Sequence, residues 1–130
     1  MANFRFLTGG LAMTINHVHL AAKDVARTRA FYEHYFGFRM ECEHGKGVFL
    51  RDASGFLIAL DPTHEPVSFP SWFHLGFCLD SAAEVNALHQ KALAGEATIV
   101  RKLLSEPGLY ASFYLADPDG CPLEVSWHAE

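Results

Sequence analysis

The sequence predicts an α+β fold in which two paired βαβββ modules form a cupped mixed sheet. One observation is an internal repeat, because residues 50–60, LRDASGFLIAL, align without a gap on residues 115–125, LADPDGCPLEV. The ends of two helical segments also repeat, since Gly37 and Gly95 occupy matching places in the two copies and glycine commonly ends helices. The chain therefore contains two copies of one unit, each a strand, a helix and three further strands.

The first module is predicted to span residues 14–61. Residues 14–21, TINHVHLA, form its first strand, because β-branched and apolar side chains dominate this stretch. Asp24 is a suitable N-cap for the helix that follows, and Gly37 ends that helix. Short strands are predicted at 38–44, 47–51 and 56–61.

The second module is predicted to span residues 72–128, after a linker at 62–71 that contains three prolines. A strand at 72–79 precedes the capping box SAAE, residues 81–84, which begins a helix. The helix is expected to turn four apolar residues inward, Val85, Leu88, Ala92 and Leu93. Strands follow at 97–103, 110–116 and 121–127. Residues 14–130 thus form a single domain, and residues 1–13 a flexible extension in which Met13 is an alternative start to Met1.

Composition excludes several classes of function. A chain of 130 residues with 50% hydrophobic content builds one domain with a full core. The net charge of −5 and the lack of any run of Lys or Arg argue against a nucleic acid or a membrane as partner. Three cysteines that form no C-x-x-C pair indicate free thiols, which predicts a cytoplasmic protein.

A candidate metal site follows from the repeat. Glu124 stands inside an apolar run where the first copy has Ala59, and His17 and His74 occupy matching places in the first strands of the two copies. If a pseudo-twofold axis relates the modules, His17, His74 and Glu124 converge. Two imidazoles and one carboxylate suit Fe(II) with open coordination positions, and Mn(II) or Zn(II) use the same donors. The alternatives are that each histidine is a hydrogen-bonded core residue and that Glu124 pairs with an arginine.

Three stretches resemble the vicinal oxygen chelate superfamily, which includes glyoxalase I, extradiol dioxygenases, fosfomycin-resistance thiol transferases and bleomycin-binding proteins. They are INHVHLAAKDVARTRAFYEHYFGF at 15–38, FHLGFCLD at 73–80 and FYLADPDGCPLE at 113–124. The resemblance implies the paired βαβββ fold and a small-molecule substrate that chelates the metal through two oxygens. It also implies a homodimer whose sites draw ligands from both chains.

Among the reactions of this superfamily, extradiol ring cleavage by an Fe(II) enzyme is favoured. Residues 113–124 resemble the closing half of the extradiol dioxygenase signature, but the histidine that signature places upstream is missing. His19 shares a strand face with His17, so we expect it to supply acid–base catalysis, and Tyr114 to donate a hydrogen bond to a metal-bound oxygen. The alternatives are that His19 is solvated or packed and that Tyr114 packs under the sheet.

Other functions within the superfamily stay open at this point. A glyoxalase-like lyase or isomerase is one alternative, although glyoxalase I carries a glutamate where this chain has Ala59; Asp61, on the same strand face, is a candidate replacement. A fosfomycin-type thiol transferase is another. The alternative from a different class is a non-catalytic, bleomycin-resistance-like protein that binds its ligand without metal.

Overall fold

The computed structural model describes residues 11–130, in which two modules follow the same order of elements. The first module consists of β1 (His17–Ala22), α1 (Val25–Phe36), β2 (Arg39–His44), β3 (Gly47–Arg51) and β4 (Leu57–Pro62). The second consists of β5 (Leu75–Cys78), α2 (Ala82–Ala94), β6 (Thr98–Glu106), β7 (Tyr110–Ala116) and β8 (Pro122–His128). The predicted α+β fold of paired βαβββ modules is confirmed.

Each module folds its strands into a four-stranded mixed sheet with the same topology. Sheet A has the order β1-β4-β3-β2 and sheet B the order β5-β8-β7-β6. The first strand of each module lies parallel to the last, and the other neighbours are antiparallel. Parallel pairing requires a crossover, which the helix of each module provides. Within residues 11–130, no hydrogen-bonded ladder joins the two sheets.

The helix ends follow the local sequence signals, with one difference. Asp24 caps α1 by accepting a hydrogen bond from the Arg27 amide at 3.1 Å, and Gly37 ends it in the left-handed conformation, with φ of 70°. α2 ends before Gly95, but the left-handed residue there is Glu96, with φ of 57°. A Cβ on Gly95 would lie 2.0 Å from the Tyr35 hydroxyl, so a larger residue here would displace the Tyr35 side chain of the first module.

The helices cover one face of each sheet and build one core with it. Alternate residues of β7 and β8 are buried against α2, among them Phe113, Leu115 and Val125, which are fully inaccessible. Burial of each such side chain stabilises the fold by about 1.5–3 kcal/mol. The expectation that Leu93 faces inward is wrong, because it is 48% exposed at the last turn of α2.

The modules are joined through α1 and the turn between β7 and β8. The Tyr32 hydroxyl donates to the buried carboxylate of Asp117 at 2.8 Å. One helical turn earlier, the Thr28 hydroxyl donates to Asp119 at 2.9 Å. These contacts between distant parts of the sequence fix the second module against the first.

Two further expectations concern the ends of the modules. Of the extension predicted at 1–13, residues 1–10 lie outside the described residues, and residues 11–13 contain no helix or strand. The proline-containing linker crosses between β4 and β5 largely without regular structure. In the described part of the chain, neither helix has the length and hydropathy needed to cross a bilayer.

Candidate metal centre

The second face of each sheet is left open by the helices. On β7 and β8, buried residues that face α2 alternate with partly exposed ones, because successive side chains of a strand point to opposite faces. We call these two surfaces open face A, on sheet A, and open face B, on sheet B. The residues singled out from the sequence lie on or beside these two faces.

Three of the predicted site residues meet at open face B. His74 directly precedes β5, Glu124 lies on β8 and Tyr114 lies opposite Glu124 on β7. His74 Nε2 is 3.1 Å from Glu124 Oε2, and the Tyr114 hydroxyl donates a short hydrogen bond to the same oxygen. The imidazole and phenol rings meet edge to face, with centroids 5.2 Å apart. Glu124 is therefore held from two sides.

Charge at open face B affects the Tyr114 phenol. The hydrogen bond to Glu124 raises the pKa of Tyr114, with smaller contributions from partial burial and from the Glu124 charge, while the charge of Arg101 opposes the shift. The phenol thus keeps its proton at neutral pH. It can act as a hydrogen-bond donor, the role expected for it from the sequence.

His74 and Glu124 fit one divalent cation. Imidazole nitrogen and carboxylate oxygen bind such cations at about 2.1 Å, so two donors at a right angle around one ion lie about 3 Å apart. The observed separation of 3.1 Å matches this value. Among residues 11–130 of a single chain, however, no three His, Cys, Asp or Glu side chains form a group able to hold a metal.

The third predicted ligand, His17, lies on the other module. It is the first residue of β1, is exposed on open face A, and its Nδ1 is 2.7 Å from Asn16 Oδ1. One chain thus brings together His74 and Glu124 but not His17. The local sequence pattern predicts which face of a strand each side chain occupies, but it does not predict how whole modules pack.

His19 lies on the same face of β1 as His17, and it has an acidic partner. Its Nε2 contacts Asp61 Oδ2 from β4, although both side chains are largely accessible, at 64% and 41%. Gly47 makes room for this carboxylate, because a Cβ there would lie 2.4 Å from Asp61 Oδ1 and 2.2 Å from the Leu60 carbonyl oxygen. Ala59 pairs with His19 in the adjacent strand and leaves the centre of the face open.

The structure also places a residue at this site that the sequence did not indicate. Arg101 on β6 pairs with Tyr114 on β7, and its guanidinium carbon lies 4.9 Å from the centroid of the Tyr114 ring. The register of β6 shifts on both sides of Arg101. Irregular pairing of this kind has no clear sequence signal, which is why its orientation towards Tyr114 was missed.

A groove of about 810 Å³ begins beside His74 and runs between β5 and the C-terminal end of α1. Aromatic side chains from both modules line it, including Phe36, Phe56 and Phe77. A volume in this range accommodates a small organic ligand. The apolar walls thus lie next to the polar cluster of open face B.

Comparisons with known proteins agree with this arrangement. The family model described as "Glyoxalase/Bleomycin resistance protein/Dioxygenase superfamily" matches residues 14–125. A possible glyoxalase from Bacillus cereus is 30% identical, with 88% of this chain and 98% of that chain covered and a TM-score of 0.75. Among curated protein sequences, none matches this chain.

Two more distant solved structures share the fold. The fosfomycin resistance protein FosX from Listeria monocytogenes is 20% identical, with 92% and 96% of the two chains covered and a TM-score of 0.79. A lactoylglutathione lyase from Agrobacterium tumefaciens is 24% identical, with 90% and 95% covered and a TM-score of 0.68.

Proposed function

Because this chain belongs to the glyoxalase/bleomycin resistance protein/dioxygenase superfamily, we propose that it is a metal-dependent enzyme whose small-molecule substrate binds through two neighbouring oxygens. The observation that carries the proposal is the pair His74 and Glu124, whose donor atoms are 3.1 Å apart on an open sheet face. The imidazole of His74 and the carboxylate of Glu124 are both ligand types that divalent transition metals use.

The proposed ligand set is His74 and Glu124 of one chain with His17 of the partner subunit. Open face A of one copy then covers open face B of the other, in a twofold-symmetric dimer with two equivalent sites. The exposure of both faces in the single chain supports this arrangement. When bound, Fe(II), or Mn(II) or Zn(II) in its place, supplies Lewis acidity to the substrate oxygens.

We propose proton transfer as the role of His19. Its Nε2 is occupied by Asp61, so Nδ1 is the atom that takes a proton from a substrate hydroxyl and returns it later. The contact with Asp61 holds the ring in one orientation. The Tyr114 hydroxyl fixes the Glu124 carboxylate in the ground state and donates to a developing negative charge on the substrate.

The favoured reaction is cleavage of a catechol-type ring next to its two hydroxyls, with both atoms of O₂ entering the product. Two imidazoles and one carboxylate are the donors used by non-haem Fe(II) oxygenases. A lactoylglutathione lyase-like reaction or the opening of fosfomycin is the second candidate. The His19–Asp61 contact supports this second candidate. Ala59, the neighbour of His19 on β4, has no acid–base group, and His19 with Asp61 would supply one on the same sheet face.

Metal analysis tests the proposal first. Wild-type protein purified without chelator should contain a near-stoichiometric transition metal, and His74→Ala and Glu124→Ala should lose it. His128→Ala, an exposed histidine at the end of β8, is the matched control and should retain it. Equal metal content in all four proteins would contradict the ligand assignment.

Activity then separates the candidate functions. Anaerobic loading with Fe(II), followed by catechol and oxygen, should give a yellow ring-opened product whose formation is slowed by His19→Ala. Metal uptake without any ring opening would favour the lyase or thiol-transfer reactions. Ligand binding by protein freed of metal would favour a non-catalytic binding protein.

A further inference from the structure

Open face B carries a cation, Arg101, that takes part in no ion pair within residues 11–130. Its guanidinium lies instead over the Tyr114 ring, 4.9 Å from the centroid, and Tyr114 in turn donates to Glu124. Arg101, Tyr114 and Glu124 thus form a row across three neighbouring strands.

The backbone of β6 is adapted at this position. Its register with β7 shifts between Ile99 and Arg101 and again between Arg101 and Leu104. Bulges of this kind re-aim a side chain and occur next to functional sites. Arg101 is the residue between the two irregularities, and its register partner is Tyr114.

Arg101 lies within reach of a small ligand bound at His74 and Glu124. Neighbouring strands lie about 4.8 Å apart, so the backbones of Arg101 and Glu124, two strands apart, are separated by about 10 Å. A molecule whose two oxygens bind a metal at His74 and Glu124 can therefore extend a further polar group to the guanidinium of Arg101. Leu104 on the same strand is 51% exposed and offers an apolar contact for the body of such a molecule.

The chemistry of the guanidinium selects the group that it binds. Its planar fork matches a carboxylate through two parallel hydrogen bonds. Stacking on Tyr114 holds the fork in one orientation before the ligand arrives, which lowers the entropic cost of binding. The protein as a whole carries a net charge of −5, so an unpaired cation at this face is a local exception that favours an anionic ligand.

Resting on the proposed function, we infer that Arg101 binds an anionic group of the substrate, and that the substrate class is an oxygen-chelating acid such as a dihydroxybenzoate. A neutral catechol would chelate the metal but leave Arg101 unused. Arg101 is thus a specificity-determining residue, separate from the ligands and from His19.

Binding of two chelating probes tests this inference without turnover. The Fe(II)-loaded protein is titrated anaerobically, by calorimetry, with catechol and with 3,4-dihydroxybenzoate. Wild type should bind the carboxylated probe about 10- to 100-fold more tightly, as hydrogen bonds to a charged group provide, and added salt should reduce this preference. Arg101→Gln should abolish the preference, because the two probes differ only in the carboxylate that Arg101 binds.

Two further variants control for net charge and for geometry. Arg29→Gln makes the same charge change on α1, where Arg29 pairs with Glu33, and should keep the full preference. Arg101→Lys keeps the charge but loses the fork, so it should keep only part of the preference.

The outcomes distinguish this inference from the proposed function. Equal affinities for the two probes in wild type, or a preference that survives in Arg101→Gln, would overturn the role of Arg101 while leaving the metal site intact. Protein that takes up no metal and binds neither probe would overturn both.

Discussion

The two modules place different side chains at matching positions of their open faces. The first carries the hydrogen-bonded pair His19 and Asp61, where the alignment of the two copies puts Gly76 and Ser126 in the second. The second carries Glu124 where the first has an alanine. A shared backbone plan thus supports the proposed acid–base pair in one module and the proposed metal-ligating carboxylate in the other, and the proposed set of groups requires both faces.

The turns that precede β4 and β8 show what the common plan needs. Asp52 and Asp117 each accept two backbone N–H bonds, and Gly55 and Gly120 each have positive φ, at 92° and 87°. The surroundings differ, because Asp117 is 6% exposed and also accepts from Tyr32. In the first module the turn carboxylate stabilises only its own turn, whereas in the second it also joins the two modules.

Two single variants, Asp117→Ala and Asp52→Ala, should separate these two roles, and Asp117→Ala should have the largest effect on the free energy of unfolding. Asp117→Ala leaves a buried tyrosine hydroxyl, the buried Cys121 amide and the partly buried Asp119 amide without this partner, so it should lower the free energy of unfolding by about 3 kcal/mol. Asp52→Ala lets water replace the lost bonds and should cost about 1 kcal/mol. Urea denaturation measures both, and equal losses would mean that the junction contributes nothing beyond the turn.

An alanine substitution at Gly47 and one at the matching Ser112 compare how closely the two open faces are packed at this position. A Cβ at this position would strike the Leu60 carbonyl and the Asp61 carboxylate, so Gly47→Ala should cost about 2 kcal/mol through a shifted backbone. The repeat places Ser112 at the equivalent position of the second module, where Ser112→Ala should change stability by less than about 0.5 kcal/mol. A Gly47→Ala protein as stable as wild type would show that the Asp61 carboxylate and the Leu60 carbonyl do not lie as close to Gly47 as the structure places them.

The smallest effect concerns pH. Burial raises the pKa of the Asp117 carboxyl above its ordinary value, and hydrogen bonds from Cys121, Tyr32 and Asp119 only partly oppose this. Folding therefore favours the protonated acid. The stability linked to that proton is complete below the unfolded-state pKa of about 3.9 and is lost as the pH rises through the raised pKa.

Comparison with a variant that cannot titrate isolates this contribution. Over that pH window, wild type should lose stability relative to Asp117→Asn, and the difference should stay constant at higher pH. Thermal unfolding at a series of pH values checks it. Parallel stability profiles would contradict a raised pKa for this carboxyl.

Local pattern was sufficient for most of the fold, because caps, glycines and the repeat act over a few residues. The helix end at Gly37 followed from its need for positive φ. Gly95 was predicted as a stop for the same reason, yet the structure places it close to the side chain of Tyr35, a residue of the other module. Long-range packing of this kind leaves no trace in the local sequence.

The candidate site was predictable only within each module. The repeat predicted that His74 and Glu124 converge with His17, and the structure brings the first two together. His17 was expected to join them, but its distance from them in one chain depends on how whole modules pack, which no strand pattern encodes. Arg101 was missed because β6 departs from regular alternation where this residue lies.

Mixed dimers test the central claim most directly, namely that two chains complete one metal site. His17→Ala and Glu124→Ala should each lose the metal as homodimers, because each removes a ligand from both sites. A dimer of one chain of each kind, isolated with two affinity tags, contains one site with both changes and one intact site. It should regain about one cation per dimer, half the wild-type content. Full metal content in His17→Ala alone, or no recovery in the mixed dimer, would contradict the shared site.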